Sequence, residues 1–180
     1  MTQYVGCGRL EVVEQRVESA KDILEARMIS KAELATGIRF AGERAAAAAL
    51  NTKDWDHQLG HEWTSRAAFS HVAATAAGAS RLYPALDGGT LSTLGVPQMA
   101  ASNAKAIDRM ADKSQEEIVQ AIRSGHEESA TFVESLDEAD LAKVVSLGGY
   151  EMPKSEILAQ IWIHHAIAHA YEASARWPLL

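Results

Sequence analysis

Three histidines lie close together in an apolar stretch near the C-terminus, "IWIHHAIAHAYEASARW" at residues 161–177. His165 and His169 are four residues apart, so on a helix their imidazoles lie one above the other and can bind one cation. Glu172 follows three residues later and is a candidate to orient an imidazole through a hydrogen bond. His164 lies about 100° around the helix from His165, so we expect it to face a neighbouring helix or solvent.

A third metal ligand is predicted in an earlier part of the chain. His71 interrupts a helical face of small residues, Ala68, Val72, Thr75 and Ala79. A lone histidine on such a face is more often a hydrogen-bonded core residue, and that alternative stays open. Together with the C-terminal pair, however, His71 makes a three-imidazole site, and three protein ligands with an open position are typical of catalytic zinc. We expect zinc or nickel first, with iron or manganese as alternatives.

Other arrangements of reactive residues are weaker. His57 and His61 are also four apart, but they flank Gly60 in a predicted loop. His126 could line the same cavity as the metal ligands, although a satisfied or surface histidine is the commoner case, and Trp162 lies near the face of the histidine pair. No histidine has a glutamate three residues before it, which argues against the di-iron motif of ferritin-like bundles. The patterns H-E-x-x-H, C-x-x-C and G-x-S-x-G are also absent.

The elements that must position these residues are predicted to be helices. Alanine, the strongest helix former, occurs in runs such as "AAAAAL", and the chain has only 4 prolines. Apolar residues recur at three- and four-residue spacing, which is typical of amphipathic helices. Predicted helices cover residues 9–24 and 30–50, either as one bent helix or as two, with the second beginning after a capping box at Ser30. Further predicted helices cover residues 64–83 (capped by Thr64), 98–136 (interrupted near 112–114) and 155–176. Predicted loops cover residues 51–63 and 84–97, and the connection at 137–153 includes a brief extended turn.

Composition and charge exclude several classes of function. The net charge is −7 without a basic cluster, which disfavours a nucleic-acid partner. No apolar run approaches the roughly 20 residues that span a bilayer. The first residues lack the pattern of a signal peptide, and the lone Cys7 cannot form an intramolecular disulfide. We therefore expect a cytoplasmic protein with no membrane partner, in which Cys7 is incidental.

Two segments resemble the DinB-like superfamily. "HEWTSRAAFSHVAA" at 61–74 is similar to the superfamily signature, in which Trp-Thr opens a helix and a histidine follows seven residues after the threonine. "LAQIWIHHAIAHAYEASAR" at 158–176 is similar to its last helix, and "LNTKDWDHQLG" to the lead-in. The resemblance covers about residues 40–180. It implies an all-α four-helix bundle of up-down-down-up topology, with a divalent metal bound by His71, His165 and His169.

The resemblance also implies a type of chemistry. The superfamily includes mycothiol-dependent maleylpyruvate isomerase and thiol S-transferases, in which a metal activates a low-molecular-weight thiol. In the isomerase branch, the first residue of the metal-binding pair in the last helix is typically glutamate. His165 in that position indicates the DinB and bacillithiol-transferase branch instead. Residues 1–29 depart from the common pattern, so we expect an N-terminal helical extension, which packs on the bundle or mediates dimerisation, followed by the bundle domain at 30–180.

Three functions are consistent with these residues. The first is a metal-dependent thiol S-transferase or isomerase-like enzyme with a small-molecule substrate, a thiol co-substrate and a homodimeric assembly. The second is a non-catalytic metal-binding or stress-related bundle. The third is a metal-dependent hydrolase. In the first, the loop at 84–97 and His126 would shape the pocket for the substrate.

Overall fold

The protein is described by a computed structural model that covers residues 29–59, 63–89, 96–147 and 150–174. The described residues form helices and one small antiparallel hairpin. In chain order these are α1 Lys31–Asn51, α2 Ser65–Ala76, α3 Ala79–Asp87, α4 Val96–Asp108, α5 Gln115–Glu134, α6 Glu138–Leu141, β1 Val144–Leu147, β2 Tyr150–Pro153, α7 Lys154–Ala159, a π-helical turn Gln160–His164, and α8 His165–Ser174. The predicted all-α class is confirmed. The predicted helix at 9–24, the extension at 1–29, His61 and the end of the last helix at Arg176 lie outside the described residues.

The long helices form an up-down-down-up bundle, as the resemblance implied. Helix α5 runs antiparallel to α1, because Gln115 bonds to the Ala49 carbonyl at one end and Arg39 bonds to Glu134 at the other. Helix α8 runs antiparallel to α2, because Ser65 bonds to the Ala173 carbonyl and His71 contacts His165.

The remaining two neighbour pairs run parallel. Near the start of α2, Arg66 donates to the carbonyl of Lys113, just before α5 begins. Near the end of α2, Ala76 lies against Gly125 in the middle of α5. Gly37 in α1 lies against Ile163, just before α8 begins. Helices α1 and α2 therefore lie diagonally across the bundle, and each contacts both α5 and α8.

The predicted helix starts are confirmed in atomic detail. Ser30 and Glu33 form the capping box that begins α1, and the Thr64 hydroxyl accepts a hydrogen bond from the Ala67 amide at the start of α2. Each cap satisfies an amide that the first helical turn leaves without a partner. The interruption expected near 112–114 is also present, between α4 and α5.

The predictions for residues 64–83 and 84–97 were partly wrong. The first segment is not one helix, because the chain leaves helical geometry at Ala77 and restarts after Gly78. The second segment is not a continuous loop, because Pro84 lies inside α3 and Pro97 lies in the first turn of α4. Proline is tolerated in a first helical turn. Helix α3 accommodates Pro84 because its apolar residues are buried against the bundle, at Ala79, Tyr83 and Leu86.

A buried lysine fixes the hairpin at the end of the bundle away from the histidines. Lys154 is fully buried, and its ammonium lies 2.7 Å from Asp87 and 3.2 Å from Asp140. The Tyr83 hydroxyl donates to the same Asp140 carboxylate at 2.6 Å. The connection at 137–153, predicted to include an extended turn, contains helix α6 and the pair β1–β2. The paired charges compensate the cost of burying an ammonium group, and they tie the hairpin and α3 to the start of the last helix.

Candidate metal site

The three predicted ligands come together between α2 and α8. One ligand nitrogen from each of His71, His165 and His169 lies within 4.8 Å of the others. The Nε2 atoms of His71 and His165 are 3.0 Å apart. The rings stand nearly perpendicular to one another, with centroids 4.6 to 5.2 Å apart. Among the described residues this is the one cluster of three or more histidine, cysteine or acidic side chains that could hold a metal ion.

Two clamps set the register of the helices that carry the cluster. At one end the buried Ser65 hydroxyl donates to the Ala173 carbonyl at 2.7 Å. At the other end the Trp162 indole donates to the Ala76 carbonyl at 2.8 Å. His71 lies midway along α2 between these clamps, so a shift of one helix along the other would break both hydrogen bonds. The clamps therefore hold His71 opposite the C-terminal pair.

The electrostatic setting keeps two of the imidazoles neutral. Burial lowers the pKa of His71 to about 4, with a further contribution from nearby His169. Burial also lowers the pKa of His165 to about 3, and the neighbouring His169 and His71 lower it further. Both groups are therefore unprotonated at neutral pH, and a neutral imidazole nitrogen is the form that binds a metal.

Glu172 lies next to one of the three histidines. Its Oε2 lies 3.2 Å from Nδ1 of His169, one helical turn earlier. Nδ1–H can donate to this carboxylate, which leaves the Nε2 lone pair of His169 for an ion. A carboxylate behind a ligating imidazole fixes the tautomer and increases the basicity of the ligand.

Trp63 also lies at the site, a role that the sequence pattern did not predict. Its ring lies 5.1 Å from His71 and 5.4 Å from His169, centroid to centroid, and so forms one wall of the cluster. The Trp63 carbonyl accepts hydrogen bonds from the Leu59 amide and the Gln58 side chain, which hold the residue in place. The available signal was its position directly before the Thr64 cap of the helix that carries His71.

The other candidate residues lie outside the cluster. Trp162 is buried and faces the end of α2 through its indole bond. His126 is buried in α5, with Nδ1 2.8 Å from the Ile122 carbonyl, and burial lowers its pKa. His164 is exposed and bonds to Gln160, as expected for a residue off the ligand face. His57 is exposed in the connection before α2.

A π-helical turn directly precedes the histidine pair, whereas the sequence predicts one regular helix here. It spans Gln160–His164, and the His165 amide bonds to the Gln160 carbonyl five residues back. Single π turns within α-helices occur frequently at functional sites, because the inserted residue changes the direction of the side chains that follow. Here that change falls immediately before His165.

The donor set fits a divalent ion. Two nitrogens that bind one zinc ion at about 2.0–2.1 Å in tetrahedral geometry are about 3.4 Å apart. The observed 3.0 Å between His71 and His165 is close to that value, and His169 lies within reach of both. Within the described residues the buried Nδ1 of His71 has no hydrogen-bond partner. Three imidazole ligands also leave a coordination position for a small molecule.

Fold and site together define a class of protein, the DinB-like helical bundles. The model of one family, described as "Mycothiol maleylpyruvate isomerase N-terminal domain", matches residues 17–174. The chain belongs to this family. Searches of curated proteins and of solved structures found no match.

The family match bears on two interpretations of the sequence. The predicted DinB-like membership is confirmed, and with the histidine cluster it indicates divalent-metal binding. The histidine at position 165 indicates the bacillithiol-transferase branch, whereas the matching model is that of the isomerase domain. The match also begins at residue 17, inside the segment predicted to precede the bundle.

No described helix is long and apolar enough to cross a membrane.

Proposed function

We propose that the protein is a divalent-metal-dependent enzyme that uses a low-molecular-weight thiol as co-substrate, in S-transfer or in isomerisation. The observation that carries the proposal is the convergence of His71, His165 and His169, whose ligand atoms lie within 4.8 Å of one another. The family, whose description names mycothiol, supports thiol chemistry. Zinc or nickel suits three imidazole donors best.

The residues of the chain would bind the ion and limit the access of water. The three imidazoles would hold it as neutral ligands, with His169 oriented by Glu172. Trp63 would exclude water from one side of the cluster. A divalent ion held there would lower the pKa of a coordinated thiol, and so would supply a thiolate at neutral pH.

The metal site is tested by elemental analysis of the purified full-length chain and of two variants. We expect about one divalent ion per wild-type chain and none in His71→Ala, since the two remaining imidazoles hold the ion too weakly. The matched control is His164→Ala, which removes an exposed histidine from the same stretch and should retain the ion. Stoichiometric metal in His71→Ala would contradict the assignment of the site.

The thiol requirement is tested separately on the metal-loaded protein. We expect mycothiol, bacillithiol or glutathione to raise the melting temperature of the wild-type chain, and one of them to support turnover of an electrophile such as maleylpyruvate or an activated aryl halide. Metal binding with ester or amide turnover, but without any response to thiols, would indicate a hydrolase instead. Metal binding with neither response would indicate a non-catalytic bundle.

A further inference from the structure

One backbone oxygen, that of Ala76, accepts hydrogen bonds from two different elements. The Trp162 indole, in the π turn, donates to it at 2.8 Å, and the Ser129 hydroxyl, in α5, donates to it at 2.6 Å. Both donors are buried, with 3% of Trp162 and 1% of Ser129 exposed. The end of α2, helix α5 and the segment that leads into α8 therefore meet on a single atom.

The end of α2 makes this oxygen available to side chains. Ala76 is the last residue of α2, and the last carbonyls of a helix have no amide partner within it. The Gly78 amide bonds to the Thr75 carbonyl at 3.0 Å rather than to that of Ala76. A carbonyl oxygen has two lone pairs and can accept both bonds, whereas a buried carbonyl without any donor is costly.

Glycines bring both donors within reach of the oxygen. A Cβ on Gly125, one turn before Ser129, would lie 2.5 Å from Cβ of Ala76. Helix α5 therefore approaches the end of α2 so closely that the short side chain of serine reaches its backbone. A Cβ on Gly78 would lie 3.4 Å from Cζ2 of Trp162, so the indole lies against the chain where α2 ends.

The shared oxygen lies close to the candidate metal ligands along both helices. Ala76 follows His71 by about 7.5 Å along α2, and Trp162 precedes His165 by about 4.5 Å along its own helix. A shift of one residue would move one helix along the other by about 1.5 Å, half of the 3.0 Å that separates the Nε2 atoms of His71 and His165. Binding sites must be held to within about 0.5 Å. The register at Ala76 therefore also determines how the ligands meet.

Ser129 extends this register to a third helix. Helices α5 and α8 lie diagonally across the bundle, since α1 and α2 each pack against both. The Ala76 oxygen links α5 to the segment that leads into α8. A slide of α2 along either neighbour would break one of the two hydrogen bonds, so the height of His71 is fixed against both.

We propose that Ser129 and Trp162 are positioning residues. By sharing the Ala76 carbonyl, they hold His71 level with the C-terminal histidine pair. The consequence for metal binding rests on the proposed function, but the register itself does not. Neither side chain is a member of the histidine cluster, and both act through the backbone of the helix that carries His71. Replacement of either should therefore change the geometry of the site without removing a ligand.

The shared hydrogen bond is tested first on the wild-type chain, so that no variant has to fold. We expect the indole proton of Trp162 to exchange slowly with deuterium in NMR spectra of the metal-free protein, because it is buried and bonded to the Ala76 carbonyl. Exchange as fast as that of an indole in water would overturn the proposal.

The register is tested without metal, by nuclear Overhauser effects between histidine rings. The ring centroids of His71 and His165 are 4.9 Å apart, so we expect cross-peaks between their ring protons in the wild-type chain. Ser129→Ala and Trp162→Phe each remove one donor, and each should weaken these cross-peaks. Unchanged cross-peaks in both variants would overturn the positioning role.

The consequence for the site is tested with cobalt(II) as the probe metal. We expect each single variant to weaken cobalt binding by about 3- to 30-fold, the range for residues that are coupled to a site without contacting its ligand, and to change the d–d absorption spectrum. The double variant leaves a buried carbonyl without either donor, so its loss of affinity should exceed the product of the two single losses. Losses that simply multiply would mean that the two residues act independently, and would overturn the shared role.

Two control variants separate positioning from general effects. Ser124→Ala makes the same substitution on α5 at an exposed serine, whose hydroxyl bonds to the Gln120 carbonyl of its own helix. Leu141→Ala removes a buried side chain from α6, next to the hairpin, and should lower the free energy of unfolding. Both should leave the cobalt affinity and spectrum unchanged.

A spectral change in either control as large as that in Ser129→Ala would overturn the positioning role. If the wild-type chain binds no cobalt, the proposed metal site fails, while the cross-peaks between the histidine rings still decide the register.

Discussion

At the residue scale, the link between Glu172 and His169 is partly open to solvent. The Glu172 side chain is 34% exposed, and the His169 ring 20%. A carboxylate in this position orients its imidazole, but water competes with a partly exposed hydrogen bond and weakens its contribution. The effect of Glu172 on metal binding should therefore be real but smaller than that of a ligand.

Replacement of Glu172 tests this orienting role. We expect Glu172→Ala to weaken zinc binding by about 10-fold, the lower end of the range for such carboxylates, while Glu172→Gln, which keeps an acceptor oxygen, loses less. Competition titrations with a zinc chelator measure both affinities. Equal affinities for Glu172→Ala and the wild-type chain would show that water or another group orients His169 equally well.

At the element scale, close contact between helices depends on glycines whose neighbours differ in their ability to move. A Cβ on Gly125 of α5 would lie 2.5 Å from Cβ of Ala76 and 2.8 Å from the backbone nitrogen of Ala77. A Cβ on Gly37 of α1 would lie 2.6 Å from Cδ1 of Ile163, the end of a flexible side chain. The first contact is with backbone and cannot yield without moving a helix.

We therefore expect different outcomes from the same substitution at these two positions. Gly125→Ala should lower the free energy of unfolding by about 1–3 kcal/mol, the usual cost of overpacking, despite the better helix propensity of alanine. Gly37→Ala should change it by less than about 1 kcal/mol, because the helical gain offsets a rotation of Ile163. Urea unfolding of the two variants measures the difference. Equal losses in both would mean that the packing of α5 against α2 is no tighter than that of α1 against α8.

The elements also show which features a sequence can predict. The helix caps and the shared helical face of His165 and His169 depend only on nearby residues, so the sequence predicts them correctly. The π turn was not, because no proline or glycine marks it. Its one trace is that the buried residues recur every four positions, at Leu158, Trp162, Ala166 and Ala170. Three such steps rotate a regular helix by about 120° away from one face, and the extra residue of the π turn removes most of that rotation.

The meeting of His71 with the C-terminal pair depends on long-range register and has no local signal. It is fixed by side chains that bond to distant backbone carbonyls, such as Ser65 to Ala173 and Trp162 to Ala76. Helical periodicity placed His71 on an apolar face, where a core histidine was the commoner interpretation. The resemblance to a family supplied the pairing of the helices. At Pro84 the local signal was present but did not decide the structure. Burial of Tyr83 and Leu86 outweighed this helix-breaking residue, so the predicted loop was wrong.

At the scale of the whole molecule, His71 and His165 couple protonation to folding. The pKa of His71 is lowered to about 4 and that of His165 to about 3, whereas a histidine in an unfolded chain has a pKa of about 6.5. Between these values the unfolded state binds more protons than the folded state. Stability from these groups is therefore fully present above the unfolded pKa, and it is lost as the pH falls from there toward the folded values.

The metal-free chain should accordingly become less stable in mild acid. Between pH 6 and pH 5 each of the two histidines should contribute up to about 1.4 kcal/mol per pH unit to the fall in the free energy of unfolding. Urea unfolding in the presence of a chelator measures this slope.

Carboxylates also affect the slope, so the test compares the slopes of variants with that of the wild-type chain. His165→Gln should reduce the slope by about one proton, whereas His164→Gln, at an exposed position on the same helix, should leave it unchanged. The same slope in all three chains would mean that His165 is protonated as readily in the folded chain as in the unfolded one. Metal binding should strengthen the dependence, because protons then compete with the ion for the same nitrogens.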